Sequence, residues 1–142
     1  MRGVIVLAAC LALLPNAADA ACTVAANGLA FGRIDLIRGT TSAGRITVAC
    51  DRPGLFQVAL ASAGDGGAGR LMRGTTGGTL RYNLFSQPSM LIPWGDGSRL
   101  GPAVFAQSDG AAPLDLTVYG RVPPQTAPPG EYADQITVTV IF

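Results

Sequence analysis

Short runs of alternating apolar and polar residues, rather than helical repeats, occupy most of the chain after residue 21. Glycine, proline and aspartate separate these runs at intervals typical of an antiparallel sandwich. The predicted fold class is therefore all-β. The pattern predicts seven strands: Cys22–Val24, Leu29–Phe31, Arg45–Cys50, Leu55–Ala61, Leu80–Phe85, Leu114–Arg121 and Gln135–Phe142.

Turn-forming residues lie between the predicted strands. In the segment CDRPGLF, Pro53-Gly54 predicts a hairpin turn between the third and fourth strands. Residues 61–70 are expected to form a flexible loop, and the proline-rich residues 123–130 a stiffer one. Asp96-Gly97 is a strong turn signal, which predicts a hairpin turn beside a half-buried Trp94.

The final run, DQITVTVIF, shows the clearest alternation in the chain. Four apolar side chains share one face of the predicted strand: Ile136, Val138, Val140 and Phe142. The run has no proline and no charge after Asp134, so an unpaired edge here would invite aggregation. We therefore expect another strand to pair with it, either from the same domain or from another chain.

The first twenty residues have the pattern of an export signal. Arg2 gives a positive start, Val4–Leu14 an apolar run, and Ala18-Asp19-Ala20 a small-residue cleavage site. The apolar run is too short to span a bilayer. We expect residues 1–20 to be removed as a signal peptide and residues 21–142 to form one domain. A lipidation box at residues 7–10 is less favoured, because Cys10 lies inside the apolar run.

Two cysteines, Cys22 and Cys50, remain after that cleavage. Exported proteins meet oxidising conditions, so a Cys22–Cys50 disulfide is expected, and two free thiols are the less favoured alternative. Closing a loop of this length adds about 3–4 kcal/mol of stability by the chain-entropy estimate. The bond would also hold the new N-terminus against the sheet.

The composition excludes several classes of function. Residues 21–142 contain nine arginines, no lysine and eight carboxylates, which is neither basic enough for a nucleic-acid partner nor acidic enough for an acidic tail. The chain has no histidine, which excludes Ser-His-Asp triads, Cys-His dyads and histidine-based zinc sites. The scattered carboxylates show no spacing that singles out a glycosidase pair. We therefore expect a protein that is not an enzyme and has no metal or cofactor.

Three weaker motifs have simpler explanations. Residues 64–69, GDGGAG, lack the Lys-Ser/Thr of a phosphate-binding loop and favour a flexible loop. Residues 94–98, WGDGS, suit a calcium or sugar contact less well than a turn. The arginines at positions 70, 73 and 81 could meet an anionic surface, but a solvated strand-and-loop face explains them equally well.

Several segments, taken in order, resemble the spore coat protein U domain, a family that includes subunits of archaic chaperone–usher pili. The resemblance runs from Cys22 to Phe142 and rests on these segments: CTVAANGLAFGRID, GRITVAC, LRYNLF, WGDGS and VYGRVPPQTAPPGEYADQITVTVIF. It implies an immunoglobulin-like antiparallel β-sandwich that is incomplete and is completed by a donor strand. The disulfide of the family would correspond to Cys22–Cys50, which holds the first strand against the second.

The resemblance also implies partners. In such pilins a periplasmic chaperone fills the groove beside the last strand, and at the outer-membrane usher the N-terminal extension of a neighbouring pilin subunit replaces it. The groove-forming residues would correspond to Ile136, Val138, Val140 and Phe142, and the carboxylate of Phe142 would be held by the chaperone. The implied function is a structural or adhesive subunit of a surface pilus, acting in attachment and biofilm formation.

Cleavage after Ala20 leaves Ala21 alone before the first half-cystine, too little for a donor strand, so a fibre-terminal position is expected. An alternative is a secreted spore-coat or matrix protein whose sandwich closes itself. A weaker alternative is a carbohydrate-binding module that uses Trp94, Tyr82 and Tyr119. The chain is expected to pass through the periplasm to a surface pilus or to be secreted.

Overall fold

The computed structural model describes residues 2–10, 21–63 and 69–142, and these residues form ten β-strands and no helix. The all-β prediction is therefore confirmed. The strands, in chain order, are β1 Arg2–Cys10, β2 Cys22–Asn27, β3 Leu29–Arg33, β4 Thr40–Cys50, β5 Pro53–Ser62, β6 Arg70–Gly74, β7 Thr79–Phe85, β8 Val104–Asp109, β9 Leu114–Val122 and β10 Glu131–Ile141.

Hydrogen bonds link eight strands in the order β2-β4-β9-β7-β6-β10-β1-β3, and β5 joins β10 to β8 outside this path. The path bends round one core, so the chain has an immunoglobulin-like sandwich architecture. Among the described strands, β1 and β10 form the one parallel pair, and the other pairs are antiparallel.

Alternation along each strand builds the core. In β7 the side chains of Leu80, Tyr82 and Leu84 point inward and are buried, and the residues between them are more exposed. The rings of Phe31 and Tyr82 meet edge to face with centroids 6.4 Å apart. Contributions to this core come from both ends of the chain, including Ile5 in β1 and Val140 in β10.

The predicted disulfide is confirmed. Cys22 and Cys50 lie opposite each other in the β2–β4 register and are bonded. Next to them, Ala21 donates its backbone N–H to Asp51 Oδ1 at 2.9 Å, and the Ala21 carbonyl accepts from the Asp51 N–H at 3.0 Å. The start of the 21–142 region is therefore fixed to the sheet, as expected.

The hairpin predicted at Pro53-Gly54 was wrong. β4 pairs with β2 and β9, and β5 pairs with β10 and β8, so the two strands belong to different parts of the sandwich. Pro53 and Gly54 are the first two residues of β5, opposite Asp109 and Ser108 of β8. Proline is tolerated at the first residue of a strand because no ladder hydrogen bond is required of its nitrogen.

Candidate functional site, a strand-binding groove

The last strand, β10, is paired along both of its edges. Residues 136–141 pair with β5, and Tyr132 and Ala133 pair with β6. Along the opposite edge β1 runs parallel in nine register pairs, from Arg2 opposite Glu131 to Cys10 opposite Thr139. The strand that the sequence required beside β10 is therefore supplied, in the full chain, by residues 2–10.

On its other side β1 pairs antiparallel with β3, and the register shifts between Gly3 and Val4. The slot that β1 fills has β10 as one wall and β3 as the other, and we call it the β3–β10 groove. Each wall presents a row of backbone N–H and C=O groups to β1. A strand in this groove therefore bonds to the sheet along both of its edges.

The side chains of β1 alternate between the core and the surface. Ile5 is 0% and Leu7 8% exposed, whereas Val4 and Val6 on the outer face are 48% and 55% exposed. Gly3, on the inner face, lies so close to the core that a Cβ added there would be 2.6 Å from Ile34 Cδ1. The groove thus takes two aliphatic side chains and is shallow at the end where Gly3 lies.

Three of the four predicted groove residues lie on the inner face of β10. Ile136 and Val138 are 0% exposed and Val140 is 1% exposed, but Phe142 follows the end of the strand and is 45% exposed. Ile136 and Val138 stand opposite Leu7 and Ala9 of β1, while Val140 lies beyond the last β1 pair, beside β5. The structure therefore brings Ile136 and Val138 to the groove, with Val140 just past its end.

A polar cluster interrupts the apolar wall of the groove. Asp134, opposite Ile5 in the register, points inward, and its Oδ2 accepts hydrogen bonds from Tyr82 Oη and Ser62 Oγ. Burial, reinforced by the hydrogen bond to Asp134, raises the pKa of Tyr82 well above its usual value. The phenol is therefore held as a neutral donor beneath the groove.

Arg70 belongs to the same buried region, and its assignment to a solvated face was wrong. Its side chain is 0% exposed, and its Nη2 donates to the carbonyls of Leu60 at 2.7 Å and Trp94 at 2.8 Å. Burial lowers the pKa of Arg70. Arg73 and Arg81, in contrast, are exposed as expected.

Trp94 is more deeply buried than predicted. It is 1% exposed, and its Nε1 donates to the carbonyl of Val58 at 2.9 Å. The chain reverses beside it, but the turn is at Ser98–Gly101, where Gly101 N donates to Ser98 O at 3.1 Å, and not at the predicted Asp96-Gly97. Gly97, at a φ of 90°, lies on the first arm, and its N donates to Gly101 O at 2.9 Å. Since Tyr82 is also buried and Tyr119 half-buried, these aromatic side chains offer no shared exposed face to a sugar.

Two of the predicted features lie outside the described residues: the cleavage motif at residues 18–20, and nearly all of the glycine-rich segment 64–69. Removal of residues 1–20 stays a prediction. The groove-filling residues of β1 were missed because their run was assigned to the export signal. The sequence feature that could have identified these residues is the run GVIVL, since a short β-branched apolar run is also typical of a buried strand.

Comparison with known families agrees with the fold. The model of the spore coat protein U domain matches residues 8–139, and the chain belongs to that family. The family match supports a surface protein of the pilus or spore-coat kind. A search of curated proteins finds no significant match. Across the described residues, no helix is long and apolar enough to cross a membrane.

Proposed function

We propose that this protein is a non-enzymatic structural or adhesive subunit of a chaperone–usher surface pilus, acting in attachment and biofilm formation. The observation that carries the proposal is the β3–β10 groove, whose occupant is a segment with the pattern of a cleaved export signal. A chain that loses this segment presents two strand edges to a partner. Family membership supports the same function.

The free energy lost with an empty groove is large compared with the total stability of a domain. Full burial of an aliphatic side chain contributes about 1.5–3 kcal/mol, so loss of Ile5 and Leu7 removes about 3–6 kcal/mol. The total stability of a domain is only about 5–15 kcal/mol. The backbone groups of residues 131–139 would also lose their β1 partners. A chain without residues 1–20 therefore needs another strand.

Strand addition from a second protein meets this need, because the backbone supplies affinity and pockets for alternate side chains supply selectivity. The proposed partners are a periplasmic chaperone, an outer-membrane usher and a neighbouring pilin subunit. The chain would pass through the periplasm to the cell surface. The fibre-terminal position rests on the predicted cleavage after Ala20 and is part of the same proposal.

Immunogold microscopy of the producing cells tests this function. Antibody raised against residues 21–142 is expected to label surface fibres, and deletion of the gene for the proposed usher is expected to abolish the label. Protein spread through the extracellular matrix, unaffected by loss of the usher, would contradict the pilus assignment.

One observation favours the alternative of a self-contained secreted coat or matrix protein. In the full chain, residues 2–10 close the sandwich without any second protein. If the exported protein keeps these residues, it needs no donor strand. N-terminal sequencing of the exported protein separates the two functions. A first residue of Ala21 supports the strand-accepting subunit, and a first residue of Met1 or Arg2 supports the coat protein.

A further inference from the structure

We propose that residues 2–10 are a built-in competitor for the β3–β10 groove, which excludes a partner strand until the chain is cut at the Ala20–Ala21 bond. This inference rests on the proposed function, because it assumes that the groove is the site where a partner strand binds. It adds a switch to that site. In the uncut chain β1 fills the groove, and in the cut chain the groove is open to a partner strand.

β1 blocks the groove sterically. β1 pairs with β10 over residues 131–139 and with β3 over residues 29–33, so it occupies both edges that an incoming strand would use. Its inward side chains, Ile5 and Leu7, are buried in the core cluster. A second strand therefore cannot bind in the groove until β1 leaves it.

The covalent link to the rest of the chain favours β1 over a free strand. Residues 11–21 join β1 to Cys22, which is held by its disulfide to Cys50 and by the β2–β4 ladder. A strand on a short tether competes at an effective concentration of the order of 1 mM. If a free strand of this sequence binds with a Kd of about 1–10 µM, the tether weakens binding of a competing strand by about 100–1,000-fold. Cutting the tether removes that advantage.

The new N-terminus would form beside a carboxylate. Hydrolysis adds water across the Ala20–Ala21 peptide bond and leaves a carboxylate on Ala20 and an amine on Ala21. The nitrogen of Ala21 already lies 2.9 Å from Asp51 Oδ1 in the uncut chain. The new ammonium group would therefore form next to a carboxylate, and the cut needs no rearrangement of the sheet at Cys22.

Peptide binding to the cut and uncut chains tests the switch. The probe is a fluorescein-labelled peptide of residues 2–10, with Cys10→Ser in both peptide and protein to remove the third thiol. The full chain is produced without export in an oxidising cytoplasm and compared with Ala21–Phe142 by fluorescence anisotropy. We expect binding to the full chain to be at least about 100-fold weaker than binding to Ala21–Phe142. Equal affinity for both proteins would overturn the inference.

Two matched substitutions within β1 test whether the competition comes from this strand. Ile5→Asp places a charge at a position that is 0% exposed, so β1 should leave the groove and the full chain should bind the peptide nearly as well as Ala21–Phe142. Val6→Asp changes the neighbouring residue, which is 55% exposed, and should keep the full chain closed. Identical behaviour of the two variants would count against β1 as the competitor.

If Ala21–Phe142 aggregates when produced alone, the folded full chain can be cut instead through a protease site inserted after Ala20. Peptide binding that increases only after the cut supports the switch, and binding that is unchanged by the cut overturns it. The proposed function fails separately, through a different result: a stable, monomeric Ala21–Phe142 that ignores the peptide. That result would show that the groove is not a strand-binding site, and it would end both proposals.

Discussion

At the scale of single residues, the least predictable feature is the polar cluster of Asp134, Tyr82 and Ser62. In the sequence Asp134 lies at the start of an alternating run, and a charged residue in that place suggests the solvated end of a strand. In the structure it lies on the inner face because it shares the alternation of Ile136 and Val138, and hydrogen bonds from Tyr82 and Ser62 satisfy its carboxylate there. Partners this distant in sequence, on β5 and β7, become visible only once the strand order is known.

The hydroxyl of Tyr82 should stabilise the fold, and Tyr82→Phe removes it. Because Asp134 would lose a donor in a buried site, we expect a loss of about 1–3 kcal/mol in the free energy of unfolding, measured by urea denaturation of the full chain. Tyr119→Phe, at a half-buried position, is the matched control and should change stability by less than about 0.5 kcal/mol. Equal losses in the two variants would contradict a specific role for the cluster.

Tyr82 should also make stability depend on alkaline pH. Its pKa is raised in the folded chain, so its contribution is complete below the unfolded value of about 10 and is lost as the pH rises above that value. For one phenol the expected slope above about pH 10 is a loss of about 1.4 kcal/mol per pH unit. Tyr82→Phe should flatten this part of the stability profile. An unchanged slope in the variant would show that Tyr82 does not cause it.

At the scale of strands, the sequence located seven of the ten strands that the structure describes, and the three exceptions have physical reasons. β6, Arg70–Gly74, has few apolar residues and contains the buried Arg70. Among the described strands, β5 is the one partner of β8, Val104–Asp109. Phe105 of β8 is 72% exposed, so the pattern of β8 does not mark an inner face clearly. β1 is apolar on both faces, and its run was therefore assigned to an export signal.

The shallow end of the groove should select a glycine in the incoming strand. A Cβ at Gly3 would meet Ile34 Cδ1 at 2.6 Å, and Ile34 is packed in the core cluster at 6% exposure, so its side chain has little room to turn away. A peptide of residues 2–10 with Gly3→Val should therefore bind Ala21–Phe142 about tenfold more weakly. Val4→Thr in the same peptide changes an outward residue and should have little effect. Isothermal titration calorimetry gives both affinities.

Ile34→Ala in the acceptor makes room at the shallow end and tests the cause of that loss. The substitution should recover most of the affinity of the Gly3→Val peptide, because the crowded Cδ1 is gone. Failure of Ile34→Ala to recover binding would show that contact with Ile34 does not set the preference.

The end of β10 separates partner capture from folding. Phe142 lies outside β10 and is 45% exposed, so deletion of this residue should lower the melting temperature of the full chain by no more than a few degrees. Capture by a chaperone that holds the terminal carboxylate should fall much further, as measured by co-purification from the periplasm. Equal tolerance in the two assays would argue against the carboxylate as an anchor.

At the scale of the whole molecule, the fold and the need for a strand beside β10 followed from the sequence, but the identity of that strand did not. The alternation in β10 showed that its edge must be covered. Which segment covers it depends on long-range pairing between residues 2–10 and 131–139, near opposite ends of the chain. Local patterns carry no information on such a pairing, and the apolar run of β1 fits both a signal and a buried strand.

We predict that residues 21–142 form an acceptor whose groove must be filled. The most direct measurement is thermal unfolding, with sedimentation to give size, of Ala21–Phe142 with and without the peptide of residues 2–10. The peptide is expected to convert an aggregating or poorly cooperative chain into a monomer with a melting temperature more than ten degrees higher, roughly the effect of 2–3 kcal/mol in a domain of this size. A chain that melts cooperatively as a monomer at the same temperature with and without the peptide would contradict the claim.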